Sequence, residues 1–225
     1  MLFLFDIDGT LLRRMPPAHR QAICDAALAL FDLRVAPAEL GETAGMTDTA
    51  IVRRTLQAAG IAASEVTACL PAFFAAASAA YRRHVPHDLR PYHAPHTVEA
   101  LEWLRGRGVS LGLVTGNIEH IAWTKLGAAG LAHYFACGAF GDEAEAREEL
   151  PRLAVERAQV TFGRTFAPAE TYVVGDTPAD IACGAACELR TIAVATGPIH
   201  DLDVLRGFGP DYAIATLHGL LALDV

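Results

Sequence analysis

Lysine is almost missing from this chain: of 18 basic residues one is lysine, at position 125, and the rest are arginine. The five cysteines, Cys24, Cys69, Cys137, Cys183 and Cys187, form no CxxC pair. Neither a zinc knuckle nor a disulfide framework is indicated, and reduced thiols in a cytoplasm are the simplest expectation. No apolar run reaches the roughly 20 residues of a bilayer-spanning helix, so no membrane partner is expected. The opening Met1-Leu2-Phe3-Leu4-Phe5 lacks a basic segment and meets Asp6 too early for a secretory signal. A basic surface is also absent. With 26 acidic residues against 18 basic ones the formal net charge is -8, which argues against nucleic acid or an anionic membrane as partner.

What is present is enough for a sizeable core. Of 225 residues, 52% are hydrophobic and 20% charged, a length and composition for one domain or one domain with an insert. Short apolar runs at Leu2–Ile7, Val109–Val114, Phe135–Phe140, Thr171–Val174, Thr191–Ala195 and Tyr212–Ala215 end in polar or glycine residues. They show little alternation, as strands of a parallel sheet buried on both faces do. Helical patterns separate most of them: Val98, Leu101 and Leu104 at helical spacing, then Ile118–Gly127, Leu150–Val160 and Pro178–Cys187. This alternation predicts an α/β fold with a doubly wound parallel sheet, Rossmann-like.

About 100 residues lie between the first two strands, far more than a crossover helix needs. They read as helices over Arg20–Phe31, Thr49–Ala59 and Glu65–Tyr81, with Ser64 as an N-cap and Gly60 as a stop. Pro16-Pro17 marks the entry and Pro86, Pro91 and Pro95 the exit. The expected organisation is a core of residues 1–13 and 93–225 carrying an inserted helical cap of residues 14–92.

Three strand ends carry chemistry. In Phe5-Asp6-Ile7-Asp8-Gly9-Thr10, residues two apart on a strand share a face, so Asp6 and Asp8 look into one site. Two carboxylates so close repel unless a cation or a proton separates them. Val114-Thr115-Gly116-Asn117 offers a hydroxyl and free helix N-terminal amides for an anion, or Asn117 simply caps the next helix. Val174-Gly175-Asp176-Thr177-Pro178-Ala179-Asp180 places two more carboxylates at the sheet mouth, a donor set for a hard cation, although Asp176 alone is also an ordinary cap. All three lie where ligands bind in open parallel sheets.

In this order and context, Asp6/Asp8, Thr115 and Gly175-Asp176…Asp180 resemble the signature of the haloacid dehalogenase-like superfamily of phosphotransferases over essentially the whole chain. The helical insert is similar to the cap of its phosphoglycolate phosphatase and β-phosphoglucomutase branch. The resemblance implies a Mg²⁺-dependent phosphatase acting on a small phosphorylated metabolite, with Asp6 as nucleophile and Asp8 as acid and base. It implies Mg²⁺ held by Asp6, the Asp8 carbonyl and Asp176, with Asp180 orienting the metal's waters or a basic neighbour. Thr115, Gly116 and Asn117 would bind the transferring phosphoryl group. A mutase of the phosphoglucomutase type stays open, as does a noncatalytic binding protein of the same fold. Asp8 disfavours dehalogenation, and a phosphonate hydrolase needs a cap lysine that the insert lacks.

The family's basic residue, commonly in a Lys-Pro string, has no direct counterpart in Asp142-Glu143-Ala144-Glu145-Ala146-Arg147-Glu148-Glu149-Leu150-Pro151. Arg147, at the entrance of the following helix, is the expected substitute, unless it merely pairs with neighbouring glutamates. Lys125 follows Thr115 by ten residues. At about 1.5 Å of helix rise per residue it is expected to lie too far from the strand ends to reach the phosphate. Weaker candidates are Arg13, Arg14 and His19 beyond the nucleophile and the Gly45–Asp48 turn. Arg53-Arg54 and Arg82-Arg83-His84 read as solvated faces, His87, His93 and His96 fit no metal spacing, and Cys183 and Cys187 read as small buried residues.

Overall fold

The computed structural model describes residues 1–223. Six strands, β1 (Leu2–Phe5), β2 (Ser110–Val114), β3 (Gly138–Ala139), β4 (Thr171–Gly175), β5 (Arg190–Val194) and β6 (Tyr212–Ile214), form one sheet in the order β3-β2-β1-β4-β5-β6. Every pairing is parallel. The strand order reverses between β1 and β4, which opens a crevice at their carboxyl ends. β1 is buried throughout. Phe3 and Phe5 join the core on one face, with Leu101, Leu104, Leu113 and Leu126. Leu2 and Leu4 join the other, with Val173, Leu150, Ala154 and Cys183.

The helices are α1 (Ala18–Phe31), α2 (Asp48–Ala58), α3 (Ala63–His84), α4 (Thr97–Gly106), α5 (Glu119–Ala128), α6 (Leu150–Phe162), α7 (Pro178–Ala186) and α8 (Leu202–Arg206). The predicted strands and helices are all found, with differences at their ends. β1 stops at Phe5 rather than Ile7. Asp6 N–H still bonds Val174 O at 2.9 Å, but Leu11 and Leu12 then turn back onto Ile7 O around Gly9, whose φ of 94° suits only glycine. β3 keeps two of the six expected residues, because Ala132–Tyr134 forms a 3-10 turn capped by Phe135.

The residues between β1 and β2 are helical, as expected. Ala62 rather than Ser64 precedes α3, and Gly60 ends the preceding segment at φ 88°. α3 tolerates an internal Pro71 and runs on through Arg82, Arg83 and His84. At 22 residues, with mean hydropathy 1.3 over its most apolar 18, it is long and apolar enough by composition to cross a membrane. In the fold its Val66, Phe73, Ala77 and Tyr81 instead pack with Ile23, Val52 and Leu56 of α1 and α2. Ile118 and Ile121 at the start of α5 complete that second core. The chain enters and leaves this helical layer through two adjacent connections, tied by Arg13 N–H to Tyr92 O (2.8 Å) and Ala94 N–H to Leu11 O (2.9 Å).

Candidate active site

The loops after β1, β2 and β4 meet at the crevice, beneath α1 and α2. They enclose a cavity of about 550 Å³ that Asp6, Asp8, Asn117, Lys125, Arg147 and Asp176 line together with residues of the helical layer. Carboxylate atoms of Asp6, Asp176 and Asp180 lie within 4.8 Å of one another, and all three residues are buried. Side chains are absent at Gly9 and Gly197, where a Cβ would overlap the Asp176 carboxylate from either side.

Arg147 is the cation among them. It stands in a 3-10 turn, Arg147–Glu149, leading into α6, and is 7% exposed. Its Nη2 donates to Asp6 Oδ1 at 3.1 Å and to Asp180 Oδ1 at 2.5 Å. Pairing with the neighbouring glutamates is not what holds it. Its Nε is buried without a partner and Nη1 makes only a long 3.4 Å bond to Gly45 O, so the guanidinium keeps donor capacity beyond its two carboxylates. Asp180 is committed elsewhere on its other oxygen. Oδ2 accepts from Thr177 N–H (3.0 Å) and Oγ1 (2.6 Å), closing a capping box at α7 in which Thr177, not Asp176, is the cap. Asp180 therefore links the start of α7 to Arg147.

One guanidinium does not offset three buried carboxylates. Burial raises Asp6 to about 7, with Arg147 working against the rise and Asp180 and Asp8 adding to it. Burial likewise raises Asp176 to about 8, reinforced by Asp180 and Asp6. Groups this reluctant to ionise, gathered at one point with oxygen donors only, fit a hard divalent cation.

Asp8 behaves in the opposite way. Its side chain is 40% exposed, toward the cavity. Burial favours its neutral form, but the charge and hydrogen bond of Lys125, with a hydrogen bond from Asn117, pull it below the usual carboxylate range. Lys125 Nζ bonds Asp8 Oδ2 directly, and also Asn117 Oδ1 at 2.5 Å. This corrects the expectation that Lys125 lies out of reach. That expectation ran a helix straight away from the strand ends. The four residues Thr115–Ile118 instead turn the chain before α5 begins, so that α5 passes beside the crevice with Ile121, Ala122, Lys125 and Leu126 on its buried face. Side chains on a helix also lean toward its N-terminus, here toward the site.

Asn117 does not cap α5; Ile118 occupies that position. Its amide instead donates to Asp8 Oδ2 (2.9 Å) and to Thr115 Oγ1 (2.6 Å). Thr115 is fully buried and accepts that bond, which leaves its own hydroxyl proton to give. Gly116 lies at the seam. A Cβ there would overlap Met46 O of the helical layer, and Gly116 O accepts from Asp48 N–H at 2.7 Å.

The Gly45–Asp48 turn does face the site, with Gly45, Met46 and Asp48 lining the cavity. Thr47 Oγ1 donates to Glu145 O (2.8 Å), and Thr49 N–H and Oγ1 both donate to Gly141 O (3.0 and 2.7 Å). Asp48, buried, accepts from Ile118 N–H at 2.7 Å and pairs with His19 Nε2 at 2.8 Å. His19 Nδ1 lies 3.2 Å from Lys125 Nζ. Sequence pattern singled out the turn and His19 but not their link to Lys125, which no local spacing encodes.

Residues 1–188 match the family described as haloacid dehalogenase-like hydrolase. The chain belongs to that family. It is 28% identical over 228 residues to phosphoglycolate phosphatase 1 of Pseudomonas aeruginosa, covering 98% of this chain and 78% of that protein. It is 30% identical over 137 residues to pyrophosphatase PpaX of Oceanobacillus iheyensis, a match spanning 61% of this chain and 62% of the relative. Among solved structures it resembles a haloacid dehalogenase-like family hydrolase from Streptococcus pneumoniae, with a TM-score of 0.63 at 17% identity over 98% of this chain and 96% of that one. The fold of the chain is thus that of a family hydrolase.

Of the remaining candidates, all but Arg14 lie outside the cavity lining. Arg53 faces Glu145 and Arg54 holds Leu40 O, while Arg83 and His84 pair with Asp25. Arg14 lines the cavity at φ 53° and is exposed. His93 bonds Ala129 O. His96 meets Glu99 and, from far along the chain, His218, in an exposed cluster that sequence spacing does not reveal. Cys183 is buried beneath the site, and burial pushes its thiol up to about 12; Cys187 is half-buried at the end of α7.

Proposed function

We propose that this hydrolase is a Mg²⁺-dependent phosphatase that cleaves a small phosphate monoester through an aspartyl phosphate on Asp6. The observation that carries the reading is the Asp6 carboxylate itself. It stands just past the end of the central strand, bonded by Arg147 and close beside Asp176, and with Asp8 these residues line a cavity sized for a small metabolite. The two relatives named above carry phosphatase and pyrophosphatase names, which supports phosphorus chemistry.

Asp6, the Asp8 carbonyl and Asp176 would hold Mg²⁺, which when bound offsets the charge between an anionic nucleophile and an anionic substrate. Arg147, through its unused donors, and Thr115, through its hydroxyl proton, would take phosphoryl oxygens, with Gly116 and Asn117 forming the rest of the cradle. Asp8, a carboxylate beside Lys125 in the free enzyme, takes a proton from solvent as the anionic substrate binds; an Asp6 oxygen then attacks phosphorus while the bond to the ester oxygen breaks and Asp8 delivers that proton to the ester oxygen. Water then attacks the phosphorus of the aspartyl phosphate, the bond to Asp6 breaks, and Asp8 takes the water's proton. Residues 14–92 would act as a cap that excludes bulk water during both steps.

The deciding experiment is phosphate release from a panel of phosphorylated metabolites with Mg²⁺: phosphoglycolate, sugar phosphates, nucleotides and pyrophosphate. Turnover of at least one monoester to free phosphate is expected. Turnover only in the presence of a sugar bisphosphate would make the enzyme a mutase, and no turnover after a broad panel would overturn the reading.

A further inference from the structure

The single lysine is used in a way that the chemistry above does not require. Lys125 is 1% exposed, and its ammonium has three donors and three acceptors: Asp8 Oδ2, Asn117 Oδ1 and His19 Nδ1. A buried ammonium is retained only where it is fully paired. Asn117 Nδ2 donates to the same Asp8 oxygen, Oδ2. Two donors on one oxygen fix the plane of the carboxylate and leave Oδ1 for the cavity.

The third acceptor lies in the helical layer. An ammonium cannot accept a hydrogen bond, so His19 must offer it the bare Nδ1 lone pair and carry its proton on Nε2. That proton is given to Asp48 Oδ2, which also takes Ile118 N–H at the start of α5. The bonds therefore run from Asp8 through Lys125 to α1 and α2 and back to the helix that carries Lys125.

We propose that Lys125 is the positioning residue of Asp8. It turns Oδ1 toward the ester oxygen and then toward the attacking water, and its bond to His19 ties that orientation to the seating of α1 and α2 over the cavity. The inference rests on the aspartyl-phosphate reading of Asp6 and Asp8.

Lys125→Met removes the charge and nearly keeps the length, and two substrates separate its role from a structural one. An alkyl phosphate needs an acid for its poor leaving group, whereas p-nitrophenyl phosphate does not. For the alkyl phosphate, kcat should fall on the order of 10²-fold with KM within about threefold of wild type, as expected when acid–base catalysis is lost. For p-nitrophenyl phosphate, Asp6 should still be phosphorylated. A burst of one nitrophenolate per enzyme should precede slow turnover, because Asp8 is still needed to activate water. Wild-type kinetics on both substrates, or equal losses without a burst, would overturn the proposal. If Lys125→Met does not fold, His19→Ala keeps the ammonium and cuts its link to Asp48. It should give the same pattern at smaller amplitude, and unchanged kinetics would overturn the tie to α1 and α2. Failure of the underlying reading shows in another variant, as turnover by Asp6→Asn.

Discussion

Arg147 and Asp6 are 141 positions apart in the chain and 3.1 Å apart in space. The same guanidinium nitrogen grips Asp180, whose second oxygen is spent on the start of α7. The Asp6 loop, the turn before α6 and the first turn of α7 are thus fastened at one buried nitrogen.

Arg147→Ala should lower kcat/KM on the order of 10²-fold or more, as loss of a charged phosphoryl clamp does. Arg147→Lys should recover part of it, since a lysine keeps a charge for the two carboxylates that share Nη2 but lacks the further Nε and Nη1 donors. Steady-state kinetics of the two variants checks this, and an Arg147→Ala enzyme within about threefold of wild type would remove Arg147 from the site.

Asp6→Asn should abolish turnover without loss of stability. The substitution removes one of three crowded carboxylates and keeps the shape, so the metal-free variant should melt no lower than wild type at pH 8. Turnover above about 1% of wild type would refute covalent catalysis by Asp6.

Stability of the metal-free protein should fall as pH rises from about 4 to about 8. Asp6 and Asp176 hold protons to about 7 and about 8 in the folded chain, against an ordinary carboxylate value near 4 when unfolded. The folded state then binds more protons than the unfolded state throughout that window, so the slope of unfolding free energy with pH is negative. Thermal melts in chelator should show the decline, Asp176→Asn should flatten it, and Mg²⁺ should raise Tm more at pH 8 than at pH 5.5.

Gly116→Ala should disturb the helical layer more than the core. The new methyl would meet Met46 O, a backbone atom that cannot swing aside, and displace the turn that seats Asp48. A stability loss of about 1–3 kcal/mol is expected, as for other overpacked sites. A raised KM should accompany it. Chemical denaturation and kinetics test both parts, and a neutral effect on each would mean that the seam is slack.

The sheet, the helices and the acidic loop ends of this family hydrolase were legible along the chain. These depend on local physics: unbroken apolar runs for doubly buried strands, helical spacing between them, and aspartates where those runs stop, as at Asp6, Asp8 and Asp176. The position of Arg147 before α6 was legible for the same reason. Which way Lys125 points was not legible, because its reach depends on how Thr115–Ile118 turns the chain before α5 in the packed fold. The packed fold alone seated Met46 and Asp48 on Gly116 and drew His19 to Lys125, and it alone brought His96 and His218 together at Glu99. Such contacts join segments tens of residues apart. Their partners are chosen by how whole helices pack, not by the spacing of residues along one of them.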